Sequence, residues 1–216
     1  MSLTLVVGNK NYSSWSLRAY LVMQLSGASY REQLEPLYAA DSAARLASHS
    51  PSAKVPVLHS EHGSIWDSLA IAEYLAERFP EAQLWPRDPA ARALARSVCA
   101  QMHSGFTALR SHMPMDMQRQ QPLASVPAEV CAEIEQVCGL WQLCLQHPAR
   151  SAGEFLFGAP SIADAFFAPV VSRLHSYGVA LPAAAERYAA SVRQWPAYQA
   201  WLAAAQQEAQ LAASSV

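Results

Sequence analysis

Ser13, Ser14 and Ser16, with Tyr12 before them and Trp15 and Arg18 interleaved, make Asn9-Lys10-Asn11-Tyr12-Ser13-Ser14-Trp15-Ser16-Leu17-Arg18 the most unusual segment of this 216-residue chain. It lies between an apolar run suited to a buried strand, Leu3 to Val7, and a helical pattern over Trp15 to Leu25. The amides that open a helix lack intrahelical partners and stabilise an anion. A hydroxyl at the same end can donate to a bound thiolate. Ser13 is the first candidate for that donor, with the adjacent Ser14 and the phenol of Tyr12 as alternatives. A purely structural reading stands beside it, in which the serines only cap the first turn.

Two further groups share this kind of chemistry. Lys54-Val55-Pro56-Val57 opens a short strand. A cis bond at Pro56 would turn the Val55 main chain out of the sheet, toward an extended peptide. Asp67-Ser68 stands at a helix start after Trp66. There a serine offers both hydroxyl and amide to a carboxylate, and an aspartate attracts an ammonium group. Farther on, His103, Phe106 and Arg110 are spaced by three and four and share a helical stripe, with Met102 and Met113 beside them. These five are candidates for lining a second-substrate pocket, against the alternatives of core, domain contact or solvent. Trp15 is a candidate roof for that pocket or a domain contact.

Other signals exclude more than they assign. Cys99, Cys131, Cys138 and Cys144 form no CxxC pair, and His59 and His62 flank a turn without a third ligand, so no metal is expected. Lys and Arg number 15 against 17 Asp and Glu, for a net charge of -2. That balance lacks the basic footprint of a general nucleic-acid binder. No run of 18 apolar residues and no basic leader is present, so the expectation is a soluble cytoplasmic chain away from membranes.

The elements that must position these residues fall into two regimes, divided near Pro80, Pro86 and Pro89. Residues 1–80 read strand, helix, strand, helix, strand, strand, helix, which one mixed sheet with helical cover satisfies. Tyr30 to Leu34 supplies the second strand and Asp41 to His49 a short helix. Val55 to Leu58 and Ser64 to Trp66 form a hairpin, and Gly27 stops the first helix. Residues 81–88 form a linker, and 89–216 read as helices alone. Pro89 to Met117 is one long pattern, with Leu94, Val98, Met102, Phe106, Leu109 and Met113 in step, ended or kinked by Pro114. Glu129 to His147 is the next helix. Ser161-Ile162-Ala163-Asp164 is a capping box before an apolar segment that Pro169 should bend. Ala183 to Val192 and Pro196 to Ala209 complete the series, and Ala212 to Val216 is expected to fray.

Taken in order, Ser13-Ser14-Trp15-Ser16-Leu17-Arg18, Lys54-Val55-Pro56, Asp67-Ser68-Leu69-Ala70-Ile71-Ala72-Glu73-Tyr74-Leu75 and Gly158-Ala159-Pro160-Ser161-Ile162-Ala163-Asp164 resemble cytosolic glutathione transferases over nearly the whole chain. The Ser-Ser-x-Ser-x-Arg arrangement most resembles the zeta-like, serine-type bacterial members, with Trp15 where those often carry cysteine. The resemblance implies a thioredoxin-like domain followed by an all-helical one, with glutathione as cosubstrate. It implies Ser13 donating to the glutathione sulfur and a cis Pro56. Val55 would pair with the cysteinyl unit, Asp67 and Ser68 would hold the gamma-glutamyl end, and Lys54 would assist the glycine carboxylate. Lowering a thiol by one pKa unit takes about 1.4 kcal/mol, within reach of one charge-assisted hydrogen bond worth roughly 1.5 to 3 kcal/mol. The activity implied is attack of the thiolate on a small electrophilic or apolar molecule by a homodimer. The alternatives are glutathione-dependent isomerisation of an unsaturated acid, with Arg110 as an anion clamp, or noncatalytic binding of glutathione or a hydrophobic ligand.

Overall fold

Leu5, Val6 and Val7 are fully excluded from solvent, as an apolar run inside a covered sheet should be. They form β1 (Leu3–Gly8) in a computed structural model that describes residues 3–214. β1 pairs in parallel with β2 (Tyr30–Glu35) and antiparallel with β3 (Val57–Ser60), which pairs antiparallel with β4 (Gly63–Trp66). The order is β2-β1-β3-β4. Parallel neighbours need a crossover, and α1 (Ser14–Ser26) makes it, ending at Gly27 in the left-handed conformation with φ 66°. The ladder begins at Val57, two residues later than the apolar run suggested, because Pro56 has no N–H to contribute.

α2 (Ser42–His49) is tied to the end of β2 by charge. Arg45 Nε lies 2.8 Å from Glu35 Oε2, while Gln33 and His49 hold Oε1 at 2.9 and 3.0 Å. Arg45, then Gln33, then His49 draw the Glu35 carboxyl down from 4.5 to about 2. An acid more acidic in the folded than in the unfolded chain adds stability above its unfolded pKa and loses it as pH falls toward the folded one. The protein should therefore lose this contribution between about 4.5 and about 2. Glu35→Gln should remove that acid-range dependence and cost about 1 to 2 kcal/mol at neutral pH. Urea unfolding of both proteins in acid and at neutral pH checks it, and parallel curves would refute it.

α3 (Ser68–Arg78) and a 3-10 turn at Pro80–Ala82 lead into the helical half. α4 (Pro89–Ser104) has proline in its first turn and Asp88 as its cap, accepting from the Ala91 N–H at 2.8 Å. The single long helix expected over Pro89 to Met117 is in fact two. α4 ends as the Gly105 N–H bonds the Gln101 carbonyl at 2.8 Å, and Phe106 takes the left-handed φ of 57° before α5 (Thr107–His112). A β-carbon on Gly105 would sit 2.9 Å from the Gln101 oxygen. The orphan amides of the new start are met from afar: Glu133 accepts from the Ala108 and Leu109 N–H groups at 3.3 and 2.6 Å.

Glu133 belongs to α6 (Ala128–Leu145), which is followed by α7 (Ile162–Ser176), α8 (Ala183–Gln194) and α9 (Pro196–Ser214). α7 is buried along nearly its whole length, continues through Pro169, and packs against α1, α4 and α8. Its capping box is present. α9 reaches Ser214, past the expected start of fraying, and the last residues of that expectation, Ser215 and Val216, lie outside the described ones. α9 also straps the loop before α1. Trp201 Nε1 donates to the Lys10 carbonyl at 2.9 Å, and Glu208 accepts from the Lys10 N–H at 2.8 Å and from the Asn9 amide. The molecule is thus a thioredoxin-like mixed α/β domain followed by an all-helical domain. Among the described residues no helix is long and apolar enough to cross a membrane, and no group of three or more His, Cys, Asp or Glu could hold a metal ion.

Candidate functional site

A cavity of about 420 Å³ opens between the domains, lined by Trp15, Ser52, Lys54, Val55, Pro56, Trp66, Asp67, Ser68, His103 and Arg110. One wall is the end of the sheet and the start of α3. The Val55–Pro56 bond is cis, and Val55 lies outside the β3 ladder. Asp67 adopts φ 74°, a left-handed value that costs a non-glycine residue roughly 1 to 3 kcal/mol. Its Oδ1 caps α3 by accepting from the Leu69 N–H at 2.8 Å, while Oδ2 lies 3.1 Å from His103 Nε2. Ser68 is 1% exposed, and its Oγ has no partner. A buried hydroxyl normally finds one, so this wall is short of an acceptor or donor that a ligand can supply.

The facing wall is cationic and aromatic. His103 and Arg110 come from α4 and α5, across the break at Gly105, and not from one continuous stripe. The Trp15 ring has the Arg18 guanidinium 4.4 Å and the Arg110 guanidinium 4.8 Å from its centre, with His103 edge-on at 5.2 Å. Arg18 is itself 2% exposed, and its Nε and Nη1 lack partners. Burial, and then the like charges of Arg173 and Arg110, lower its pKa to about 9.

The serine segment divides its members. Ser13 is 7% exposed and caps α1: its Oγ donates to Ser16 Oγ at 2.8 Å and accepts from the Ser16 N–H at 3.4 Å. Ser14 faces a neighbouring smaller recess with Arg110 and Arg173. Tyr12 is 47% exposed, packs edge-on against Tyr38 and lines a different groove with Asn11 and Asp116, so it stands away from the cavity. Met102, Phe106 and Met113, which stood between pocket lining and core, belong to the hydrophobic core. The break after α4 turns Phe106 inward, and the apolar stripe faces the other helices. Ser52 and Trp66 line the cavity without having been anticipated. Each flanks a segment that was, Ser52 two residues before Lys54 and Trp66 immediately before Asp67, and neither type signals a ligand by itself.

The family model described as glutathione S-transferase, N-terminal domain, matches residues 12–78, and the one described as glutathione S-transferase, C-terminal domain, matches residues 91–204. The chain belongs to the glutathione S-transferase family. Among similar proteins, this transferase-family chain is 34% identical over 99 residues to a probable maleylacetoacetate isomerase of Caenorhabditis elegans, covering 46% of each chain. It is 27% identical over 193 residues to the maleylacetoacetate isomerase of Pseudomonas aeruginosa, covering 79% of this chain and 82% of that one. The match thus spans about half the length of the first relative and most of the second. A crystal structure of a glutathione transferase homologue from Burkholderia GL BGR1, with bound glutathione, superposes with a TM-score of 0.70 at 25% identity, covering 95% of this chain and 98% of that one. The chain therefore has the glutathione transferase fold, its elements in the order the motifs suggested.

Proposed function

We propose that this glutathione transferase family member binds glutathione in the interdomain cavity and isomerises an unsaturated acid. The observation that carries the reading is Arg110, a cation on the wall opposite Val55, Asp67 and Ser68 in one cavity. The chain's similarity to maleylacetoacetate isomerases supports it. The unpartnered, buried Ser68 Oγ at the start of α3 fits a carboxylate of the tripeptide. Asp67 would take its ammonium group, the Val55 main chain its cysteinyl unit, and Lys54 its glycine carboxylate. When bound, glutathione supplies a thiolate that adds reversibly to a conjugated double bond, so that rotation can precede its release. Ser13 would favour thiolate by turning its hydroxyl from Ser16 to the sulfur, exchanging one hydrogen bond for a charge-assisted one. Arg110 would hold the carboxylate of the acid, and Trp15 would shield the reacting bond from water. The proposal extends to a cytoplasmic homodimer, as the family resemblance implies.

Turnover of an unsaturated acid without net loss of glutathione tests the reading, followed beside the ultraviolet absorbance of the bound thiolate. Ser13→Gly, which retains most of the cap's stability, should raise the bound thiol's pKa by about one unit, while Ser14→Ala should leave it in place. Net consumption of glutathione would mark conjugation to an electrophile instead. A thiol pKa that moves in Ser14→Ala alone would transfer the donor role to Ser14.

A further inference from the structure

The histidines at the two ends of one cavity wall touch each other. His49 closes α2 and His59 lies on β3, and His49 Nδ1 is 3.2 Å from His59 Nε2. The chain between them, residues 50–58, contributes Ser52, Lys54, Val55 and Pro56 to the cavity lining. The imidazole contact therefore closes the base of the loop that forms this wall. β3 is fixed by its pairing with β1 and β4, whereas Ser42 is the one buried residue of α2. Polar groups hold α2 in place: Arg45 and His49 on Glu35, and the Ser42 hydroxyl on the Pro36 and Ala39 carbonyls. That hold passes from the helix end into the wall. The Ser50 and Ser52 hydroxyls lie 2.8 Å apart, and Ser52 Oγ accepts from the Lys54 N–H at 3.3 Å.

One carboxylate fixes the direction of every hydrogen bond along the histidine line. Glu35, drawn down to about 2 by Arg45 above all, only accepts, so His49 Nε2 carries a hydrogen toward Oε1 at 3.0 Å. A neutral His49 then accepts at Nδ1, His59 donates from Nε2, and His59 Nδ1 accepts from the Ser64 hydroxyl at 2.9 Å. One added proton fits this line, since the pair then aims its N–H groups at Glu35, along the contact and at the Ser64 oxygen. A second does not fit. It would point two N–H groups at each other across 3.2 Å and set two cations in contact. Burial, and then the charge of His49, already hold the His59 imidazole below its ordinary 6.5. Among the described residues, the charged groups around the pair are Glu35 on β2 and Arg45 on α2, with Asp41 beyond Arg45. Arg31 is exposed in the same cross-strand row as His59, to which β1 and β4 bring only the hydroxyls of Thr4 and Ser64.

We propose that the contact between His49 and His59 is an acid-operated latch on the cavity wall. It stays closed while the two rings share at most one added proton. It opens when both are cationic, which loosens residues 50–54 and weakens the hold on glutathione. The effect on binding rests on the reading that glutathione occupies the cavity, whereas the latch itself does not.

The test begins with the full chain free of ligand. Nitrogen NMR should show His59 as the Nε2–H tautomer at neutral pH. Hydrogen exchange at the Ser52, Ala53 and Lys54 amides, corrected for the intrinsic rate, should quicken at least about fivefold toward pH 5. His59→Gln puts an amide where the Nε2–H stood and takes up no proton, so its exchange should not quicken. S-methylglutathione, which has no thiol to titrate, is the binding probe. Between neutral pH and about pH 5 the parent should lose about tenfold more affinity for it than His59→Gln does. His103, which faces Asp67 in the cavity, is present in both proteins and cancels from the comparison. Steady exchange in the parent would overturn the latch, and so would equal acid losses of affinity in the two proteins. Exchange that quickens in the parent alone, with S-methylglutathione bound by neither protein, would leave the latch standing and remove the glutathione reading.

Discussion

Asp164→Ala is expected to lower the unfolding free energy by about 4 kcal/mol, out of the roughly 5 to 15 kcal/mol that a domain of this kind holds in reserve. The carboxylate is fully buried. Its Oδ1 accepts from the Leu156 N–H at 3.0 Å, and its Oδ2 accepts from the Ser161 N–H and hydroxyl, both at 2.8 Å. Removing it deprives three donors of their acceptor, each worth roughly 1 to 3 kcal/mol. Asp164→Asn should lose about half as much, since its oxygen keeps an acceptor while its amide meets N–H groups head on. The damage should reach the cavity through Trp15, because α7 carries the Phe166 ring that lies 5.2 Å from the Arg18 guanidinium, which stacks on Trp15. Chemical denaturation followed by circular dichroism measures the loss, and a cost below about 1 kcal/mol for alanine would refute the account.

Arg110→Met should reduce kcat/KM for an unsaturated acid by about 100-fold, or about 2.7 kcal/mol, the scale of an unmade charge pair in a partly closed site. Glutathione affinity should change by less than about twofold, because Val55, Asp67 and Ser68 hold the tripeptide from the opposite wall in this reading. Arg110→Lys retains the charge but neither the planar stack on Trp15 nor the forked donor set, and should fall between, near tenfold. Steady-state kinetics with glutathione saturating, beside direct titration of glutathione, separates the two quantities. If Arg110→Met turned over the acid within about threefold of the parent, the clamp would be wrong. Equal losses in glutathione affinity and turnover would indicate instead that Arg110 mainly supports Trp15.

Much of this molecule is legible along the chain because its signals are local. The cap at Ser13, the left-handed stop at Gly27 and the capping box from Ser161 to Asp164 each depend on residues within four positions. The same holds for the pairing of Asp67 with Ser68 at the start of α3, where one side chain caps and the next is buried with its hydroxyl unpartnered. The break between α4 and α5 is a different case. The apolar period from Leu94 to Met113 runs through it without a fault, and the groups that satisfy the new helix start belong to Glu133 on a later helix. Periodicity reports which side of a helix is apolar, but it does not report a cap supplied from another element.

By itself, then, the order of residues determined the two-domain architecture and most of the cavity lining, since strand and helix patterns and turn residues act over short distances. The tertiary structure decided which members of each motif face the same space. It turned the Ser13 hydroxyl to Ser16, placed Met102, Phe106 and Met113 in the core, and brought the Arg18 and Arg110 guanidiniums onto the Trp15 ring. Those outcomes depend on α1 packing against α7 and on where α5 begins, contacts between residues far apart in the chain, which no local spacing encodes.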